Sequence, residues 1–287
     1  FKEMGTKEGD SKSNALKIMV NTFYGANTNP YINYGDMATG LVITGVARYV
    51  LEHAINLLRK KYGEKSVIYS HTDSVYTNCN VDVDWLTKRL RLILEATIPN
   101  VESEWIRLDE DVYKEGIWIQ IGNYALRNQD DSITKHGSTF KASTRSRFYK
   151  ETLDKLITAR IDNTVNAKFI DDLYDFDSLP METFLQRRTL NRKLEDYKST
   201  TDMLLTLAKQ GVEVGIQPEV RTTYNYYKTK DGYRIKEIVE SKSELDVRYY
   251  WDIVSNLLDK FSLSSHIKKN PPLTLIDKKQ QSIMEWI

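Results

Sequence analysis

Apolar residues recur at helical spacing from Met37 to Tyr62, where Val42, Val46, Leu51, Ile55 and Leu58, with the small Ala47 and Ala54, predict one long helix closed by Gly63. A second amphipathic stretch, Asp82 to Ile98, turns Trp85, Leu86, Leu90, Ile93 and Leu94 inward. Between them β-branched and aromatic residues (Val67 to Tyr69, then Val75 and Tyr76) flank a small polar centre, the composition of a tight hairpin. Upstream, residues 1–12 read as a polar loop, Ser13 to Tyr24 as a helix ending at Gly25, and Asn27 to Asp36 as a turn-rich link. Trp105 to Leu126 reads as strands with a bend near Gly116, and Asn128 to Asp131 as a turn. From Arg147 the pattern is mainly helical, with candidates at 147–161, 179–197, 199–210 and again from Leu245. Gly211 to Glu219 interrupts it, and a hairpin is expected from Val220 to Tyr227 and Tyr233 to Val239. The whole is an α+β pattern.

Composition narrows the class. With 287 residues the chain can hold two compact domains, and 40% hydrophobic with 28% charged residues is an ordinary globular mix. No apolar run approaches bilayer-spanning length and no signal-peptide pattern is present, so no membrane partner and a cytoplasmic location, in a host cell or a prokaryote, are expected. A single cysteine, Cys79, excludes an internal disulfide, and histidines at 53, 71, 136 and 266 have no zinc spacing. Net charge is only +1, so any basic field must be local; Lys135 to Lys168 holds eight Lys/Arg and three Asp/Glu.

Two stretches carry candidate chemistry. Asp73 sits at the hairpin tip, where a strand pair can hold a carboxylate rigidly enough for a metal. Asn14, Lys17, Asn21 and Tyr24, spaced three, four and three apart, share one helical face opposite Leu16, Met19, Val20 and Phe23. From the residues alone, a surface turn aspartate and a solvated helix face are the more common readings.

Lys17-Ile18-Met19-Val20-Asn21-Thr22-Phe23-Tyr24-Gly25 resembles the Lys-x-x-x-Asn-Ser-x-Tyr-Gly motif of family B DNA polymerases, and Tyr69-Ser70-His71-Thr72-Asp73-Ser74 resembles their Tyr-Gly-Asp-Thr-Asp-Ser. The resemblance covers nearly the whole chain and the C-terminal part of the family's architecture. It implies half of a polymerase palm, an antiparallel sheet with backing helices, preceded by one fingers helix and followed by a mainly helical thumb. The implied limits are 1–34 for the fingers helix and link, 35–146 for the palm half, 147–270 for the thumb and 271–287 for a tail.

On this resemblance Asp73 is the catalytic metal ligand, for two Mg²⁺ ions shared with a partner chain, and Lys17, Asn21 and Tyr24 meet the deoxynucleoside triphosphate. Thr72 and Tyr124 become contacts to primer-template DNA, with Lys135, Lys141, Arg145 and Arg147 from the basic stretch. His71 stands where the family has its other aspartate, and imidazole suits magnesium poorly. Tyr124-Ala125-Leu126 resembles the family's Lys-Lys-Arg-Tyr-Ala-Leu element without its basic residues. Asp175-Phe176-Asp177-Ser178-Leu179-Pro180 is similar to the motif bearing the other catalytic aspartate. It lies on the wrong side of the lysine helix, and reads better as a helix start with Ser178 as N-cap.

The first catalytic motif and the exonuclease motifs have no counterpart here. The expectation is therefore a C-terminal subunit or fragment of a split enzyme from a phage, virus or archaeon, with an N-terminal polymerase chain supplying the exonuclease and first palm half. The other reading is a catalytically inactive, DNA-binding scaffold subunit of a replisome. The last residues fit the clamp-binding pattern of the family through Gln280, Ile283, Trp286 and Ile287, presented on a polar linker at Lys268 to Pro272; a sliding clamp is the implied partner.

Overall fold

The computed structural model describes residues 6–29, 31–32, 35–140, 145–197 and 203–276. The chain forms two compact units, Phe1–Asp111 and Val112–Ile287. The stretch 35–146 straddles that division, because the strands after residue 112 pack into the second unit's core.

Unit 1 contains helices α1 (Lys7–Asn27), α2 (Met37–Tyr62) and α3 (Val83–Thr97) and a hairpin of β1 (Val67–His71) and β2 (Ser74–Thr77). Helix α1 starts within the expected loop. The Thr6 hydroxyl accepts from the Gly9 amide, and Glu8 and Asp10 in the first turn complement the helix dipole. The helix also runs through Gly25 and is capped at Thr28. Thr28 lies against α2 at Gly40, where an added Cβ would fall 2.1 Å from the threonine methyl. Helix α2 ends as expected at Gly63, whose φ of 99° only glycine adopts readily. The C-terminal half of α2 and the inner face of α3 bury Ala54, Leu58, Leu86, Leu90 and Leu94, and Ile106 joins them. The Arg91 guanidinium donates to the carbonyls of Glu104 and Ile106 at 3.2 and 2.8 Å, closing the loop after α3 over this cluster.

The other half of unit 1 is different. On α1 only Gly9 is buried, and Ile18, Met19, Val20 and Phe23 are each about two-thirds exposed. Leu41, Val42 and Ile43 on the first turns of α2 are exposed too, so the expected inward stripe fails at Val42 and Ala47. By length and composition α2 is apolar enough to cross a membrane, an exception to the expectation that no run reaches that length. Its apolar character serves two ends, a protein core in the second half and an open face in the first.

Unit 2 is built on two antiparallel meanders, β3 (Glu115–Gln120), β4 (Asn123–Arg127), β5 (Ile133–His136) and β6 (Gln186–Thr189), β7 (Thr223–Thr229), β8 (Gly232–Ile235). The bend expected near Gly116 lies at Gly122 instead, φ 72°. Gly116 sits inside β3, where an added Cβ would come 2.8 Å from Leu126 and 2.9 Å from Trp118. Among the described residues four α-helices join these sheets: α4 (Arg147–Ile161), matching its predicted bounds, the unpredicted α5 (Ala167–Leu173), α6 (Met203–Glu213) and α7 (Val247–Lys260). The helix expected over 179–197 does not exist. Pairing with β7 makes Gln186–Thr189 a strand, flanked by 3₁₀ turns at Met181–Phe184 and Leu194–Asp196.

The core of unit 2 is aromatic. Phe148, Phe176, Phe184, Tyr174, Tyr250 and Trp251 meet edge to face or tilted, with centroids 4.2–6.4 Å apart. Phe176 belongs to the Asp175–Pro180 stretch that is similar to the other catalytic motif, and Ser178 is not the N-cap expected there; its hydroxyl donates to the Asp175 carbonyl within a turn. Asp177 accepts the Ile276 amide at 2.7 Å, and the buried Lys242 ammonium donates to the carbonyls of Asp177 and Leu179. The segment expected to be a free linker is thus strapped down. The Trp251 indole donates to the Lys268 carbonyl at 2.7 Å, Lys268 pairs with Asp171, and Leu275 is buried.

Candidate functional site

The hairpin of unit 1 pairs His71 with Ser74, Ser70 with Val75 and Tyr69 with Tyr76, with an irregularity between Val67 and Tyr69. Two residues make the turn. Thr72 takes a left-handed φ of 54°, and the Asp73 amide donates to the His71 carbonyl at 2.7 Å. The same carbonyl accepts the Ser74 hydroxyl at 3.0 Å. These bonds fix the backbone and leave the exposed Asp73 side chain at the tip, with no ion pair among the described residues. The His71 Nδ1 lies 3.0 Å from the Thr72 hydroxyl, and its ring stacks toward Tyr69 at 6.3 Å. The histidine is engaged locally, by its neighbours on the hairpin.

A magnesium ion requires several hard oxygen ligands. Asp73 fits as one. Among the described residues no three His, Cys, Asp or Glu side chains converge as a metal group, so the remaining ligands would have to come from elsewhere.

Lys17 and Asn21 are exposed on α1, one turn apart, and Tyr24 is half-buried one turn further on. Thr22 is tied to its own helix, its hydroxyl donating to the Ile18 carbonyl at 2.8 Å. Lys17, Asn21, Tyr24, Thr72 and Asp73 all belong to unit 1, whereas Tyr124 and the expected basic contacts belong to unit 2.

The unit 2 residues have other engagements. Tyr124 is buried on β4, its ring stacked on His136 at 4.7 Å and near Trp118 at 6.4 Å. Lys135 pairs with Asp154 at 2.5 Å and Arg147 with Glu151 at 2.5 Å. Arg145 is exposed, its guanidinium 5.0 Å from the Tyr149 ring centre. Lys141, Gln280, Ile283, Trp286 and Ile287 lie outside the described residues. One group escaped the sequence reading: Arg187, Arg188, Arg192 and Lys193, all exposed, in a run without an acidic residue. That charge count was the available signal, and the mistaken helix over 179–197 concealed it.

Burial raises several tyrosines of unit 2. Tyr226 and Tyr227 are each pushed up to about 12, chiefly by loss of solvent, and Tyr250 is raised further by the same cause. In unit 1 hydrogen bonds from Thr39 and the Ala38 amide hold the Asp36 carboxyl below its ordinary value, as suits the N-cap of α2.

No family model matches the chain. It is 25% identical over 259 residues to a DNA polymerase of Thermococcus gorgonarius, covering 84% of this chain and 33% of that protein. With a DNA polymerase of Thermococcus sp. (strain 9oN-7) it shares 24% identity over 255 residues, with the same coverages. The fold is similar to the family B DNA polymerase of Pyrobaculum calidifontis, with a TM-score of 0.60 and 18% identity, over 91% of this chain and 34% of that one. The chain spans about a third of the length of these relatives, and resembles family B DNA polymerases in both sequence and fold.

Proposed function

We propose that this chain is the C-terminal part of a family B DNA polymerase and carries out template-directed nucleotidyl transfer together with an N-terminal chain. The observation that carries the reading is a half-built site. One exposed carboxylate, Asp73, stands on a rigid tip in the same compact unit as a helix bearing Lys17, Asn21 and Tyr24, in a chain spanning a third of its relatives. The exposed apolar faces of α1 and the first turns of α2 support the same reading, since the missing partner would cover them.

In this mechanism Asp73, with carboxylates of the partner, would hold the two magnesium ions. Bound there, the ions supply activation of the primer 3′-hydroxyl and charge neutralisation at the departing pyrophosphate. The chain's own residues orient the nucleotide. The Lys17 ammonium, a compact point charge, meets a phosphate oxygen, and Asn21 and Tyr24 border the new base pair. His71, bonded to Thr72, stays outside the metal shell. The location is the cytoplasm of a host cell or a prokaryote.

The test is primer extension with the chain reconstituted alongside an N-terminal family B polymerase chain. Activity should appear only with both, and Asp73→Ala should abolish it while duplex binding is retained. Full activity in Asp73→Ala, or none in the wild-type pair, defeats the reading.

A second reading, a catalytically inactive scaffold subunit that binds DNA, is favoured by His71 in an aspartate's place and by the missing basic residues before Tyr124. Inactivity of the reconstituted pair with intact DNA binding would select it. The tail, Gln280 to Ile287, is proposed as a sliding-clamp peptide. Deleting Ile283 to Ile287 should leave short-primer extension unchanged and remove clamp-stimulated processivity; clamp stimulation that survives the deletion rejects it.

A further inference from the structure

Glycine weakens a helix relative to alanine, and α2 carries two, Gly40 and Gly45. Their surroundings are opposite. Gly45 is exposed, and a Cβ added there would meet nothing within 4 Å. Gly40 is buried, and a Cβ there would land on the Thr28 methyl and lie 3.3 Å from the Thr28 Cβ, inside the ordinary carbon–carbon separation. At Gly40 the missing side chain makes room for the end of α1.

Thr28 is the C-cap of α1, and its side chain is held there. The hydroxyl donates back to the Tyr24 carbonyl at 3.0 Å and the Gly25 carbonyl at 3.3 Å, which leaves the methyl against α2. On the other side the Gly40 carbonyl accepts the Thr44 hydroxyl at 3.0 Å. The chain between the helices is wound just as closely. A Cβ at Gly35 would come 2.7 Å from the Asn29 carbonyl oxygen and 3.0 Å from that of Ile32. Among the described residues of α1 only Gly9 is buried, so no buried side chain holds the stretch that bears Lys17, Asn21 and Tyr24. At about 1.5 Å per residue Lys17 lies about 16 Å along the helix from Thr28, and a tilt of about 10° would carry it about 3 Å. That displacement is as long as a hydrogen bond.

We propose that the Thr28 methyl seated on Gly40 is the fulcrum that sets the pose of α1, and that Thr28 and Gly40 are positioning residues for the nucleotide. Neither touches the substrate. They act through Lys17, Asn21 and Tyr24, whose reach depends on the angle at which α1 leaves the joint. The inference rests on the polymerase reading for what α1 meets, and deepens it by naming what aims the helix. A compact charge such as the Lys17 ammonium loses its phosphate when it is displaced by a bond length, whichever base the nucleotide carries.

The experiment exchanges one methyl across the joint. Gly40→Ala adds a methyl where that of Thr28 already sits. Thr28→Ser removes the threonine methyl and keeps the capping hydroxyl, and the double variant trades one for the other. Spin labels on Cys79, the single cysteine, and on Ser11→Cys near the far end of α1 report the pose in the full chain without nucleotide or DNA. Gly40→Ala should shift the label distance by about 4 Å, Thr28→Ser should broaden it, and the double variant should restore it. In the reconstituted pair Gly40→Ala should raise KM for all four deoxynucleotides about tenfold with kcat within about threefold, and the double variant should return KM to within about twofold. Gly45→Ala, the same change without a neighbour, should move neither. If Gly40→Ala melts early, broadening in Thr28→Ser and its recovery in the double variant carry the same support. An unshifted distance in Gly40→Ala, a double variant no better than Gly40→Ala, or an equal effect of Gly45→Ala overturns the fulcrum. A shifted distance with an unchanged KM overturns the positioning role. An inert wild-type pair brings down the polymerase reading instead, and the label distances then judge the fulcrum by themselves.

Discussion

Helices α1 and α7 differ in what becomes of their apolar side. Helix α7 has 14 residues and buries Val247, Tyr250, Trp251, Val254, Leu257 and Leu258. Helix α1 has 21 residues and buries Gly9 alone, with Ile18, Met19, Val20 and Phe23 open to solvent. Both sequences carry apolar residues at helical spacing, but among the described residues only the apolar side of α7 is buried. The contrast extends to the units that hold them. Unit 2 closes an aromatic core of its own, while the unit that bears Asp73 and Lys17 leaves a long apolar face uncovered. Candidate chemistry and self-sufficient packing thus lie in different parts of the molecule.

The sharpest way to break this comparison is to truncate one aromatic on each helix. Trp251→Ala should cost about 3–5 kcal/mol in chemical denaturation, because it removes a buried ring from the aromatic cluster. Phe23→Ala, on the exposed face, should stay within about 0.5 kcal/mol and, on the proposed two-chain reading, instead weaken association with an N-terminal chain. A large stability loss from Phe23→Ala would mean that α1 is covered within the lone chain.

Alkaline titration separates the units next. Tyr226 and Tyr227 have folded pKa values raised to about 12 from 10.0. The raised values mean that stability is complete below pH about 10 and drains away as pH rises through about 12, since the unfolded chain ionises first. The rise is worth up to about 2–3 kcal/mol for each ring. Tyrosinate absorbance from Tyr226 and Tyr227, isolated as the difference from a Tyr226→Phe/Tyr227→Phe variant, should therefore appear together with loss of the fold of unit 2; smooth titration of these two rings in the folded protein contradicts it.

A smaller effect is expected at the nucleotide face. Lys17→Ala should raise the apparent KM for all four deoxynucleotides alike in the reconstituted pair, by about 1–3 kcal/mol in binding terms, without moving the melting temperature. A dependence on the base would remove Lys17 from the triphosphate.

Local signals proved legible in the sequence. Helix α2 with its glycine stop, the hairpin with its turn aspartate and the bounds of α4 all follow from spacing and capping chemistry. What failed depended on distant partners. Gln186 to Thr189 looks helical until β7 claims it as a strand from nearly forty residues away, an override of local propensity by sheet pairing. The same holds for the site. Asp73 could be read from its turn, whereas the engagement of Lys135 by Asp154 and the burial of Tyr124 against His136 arise only once the unit has folded.

The strap that closes unit 2 sets a mechanical condition on anything held by the last residues. Ile276 is bonded to Asp177, and only four residue steps separate it from Gln280. That span extends at most about 14 Å. On the proposed clamp reading, a ring gripped by Gln280, Ile283 and Trp286 would ride close against the second unit instead of trailing on a long leash. Pulling on such a ring would load the Asp177 carboxylate and, through its backbone, the Lys242 ammonium, so that a turn resembling a catalytic motif serves as the cleat of a tether.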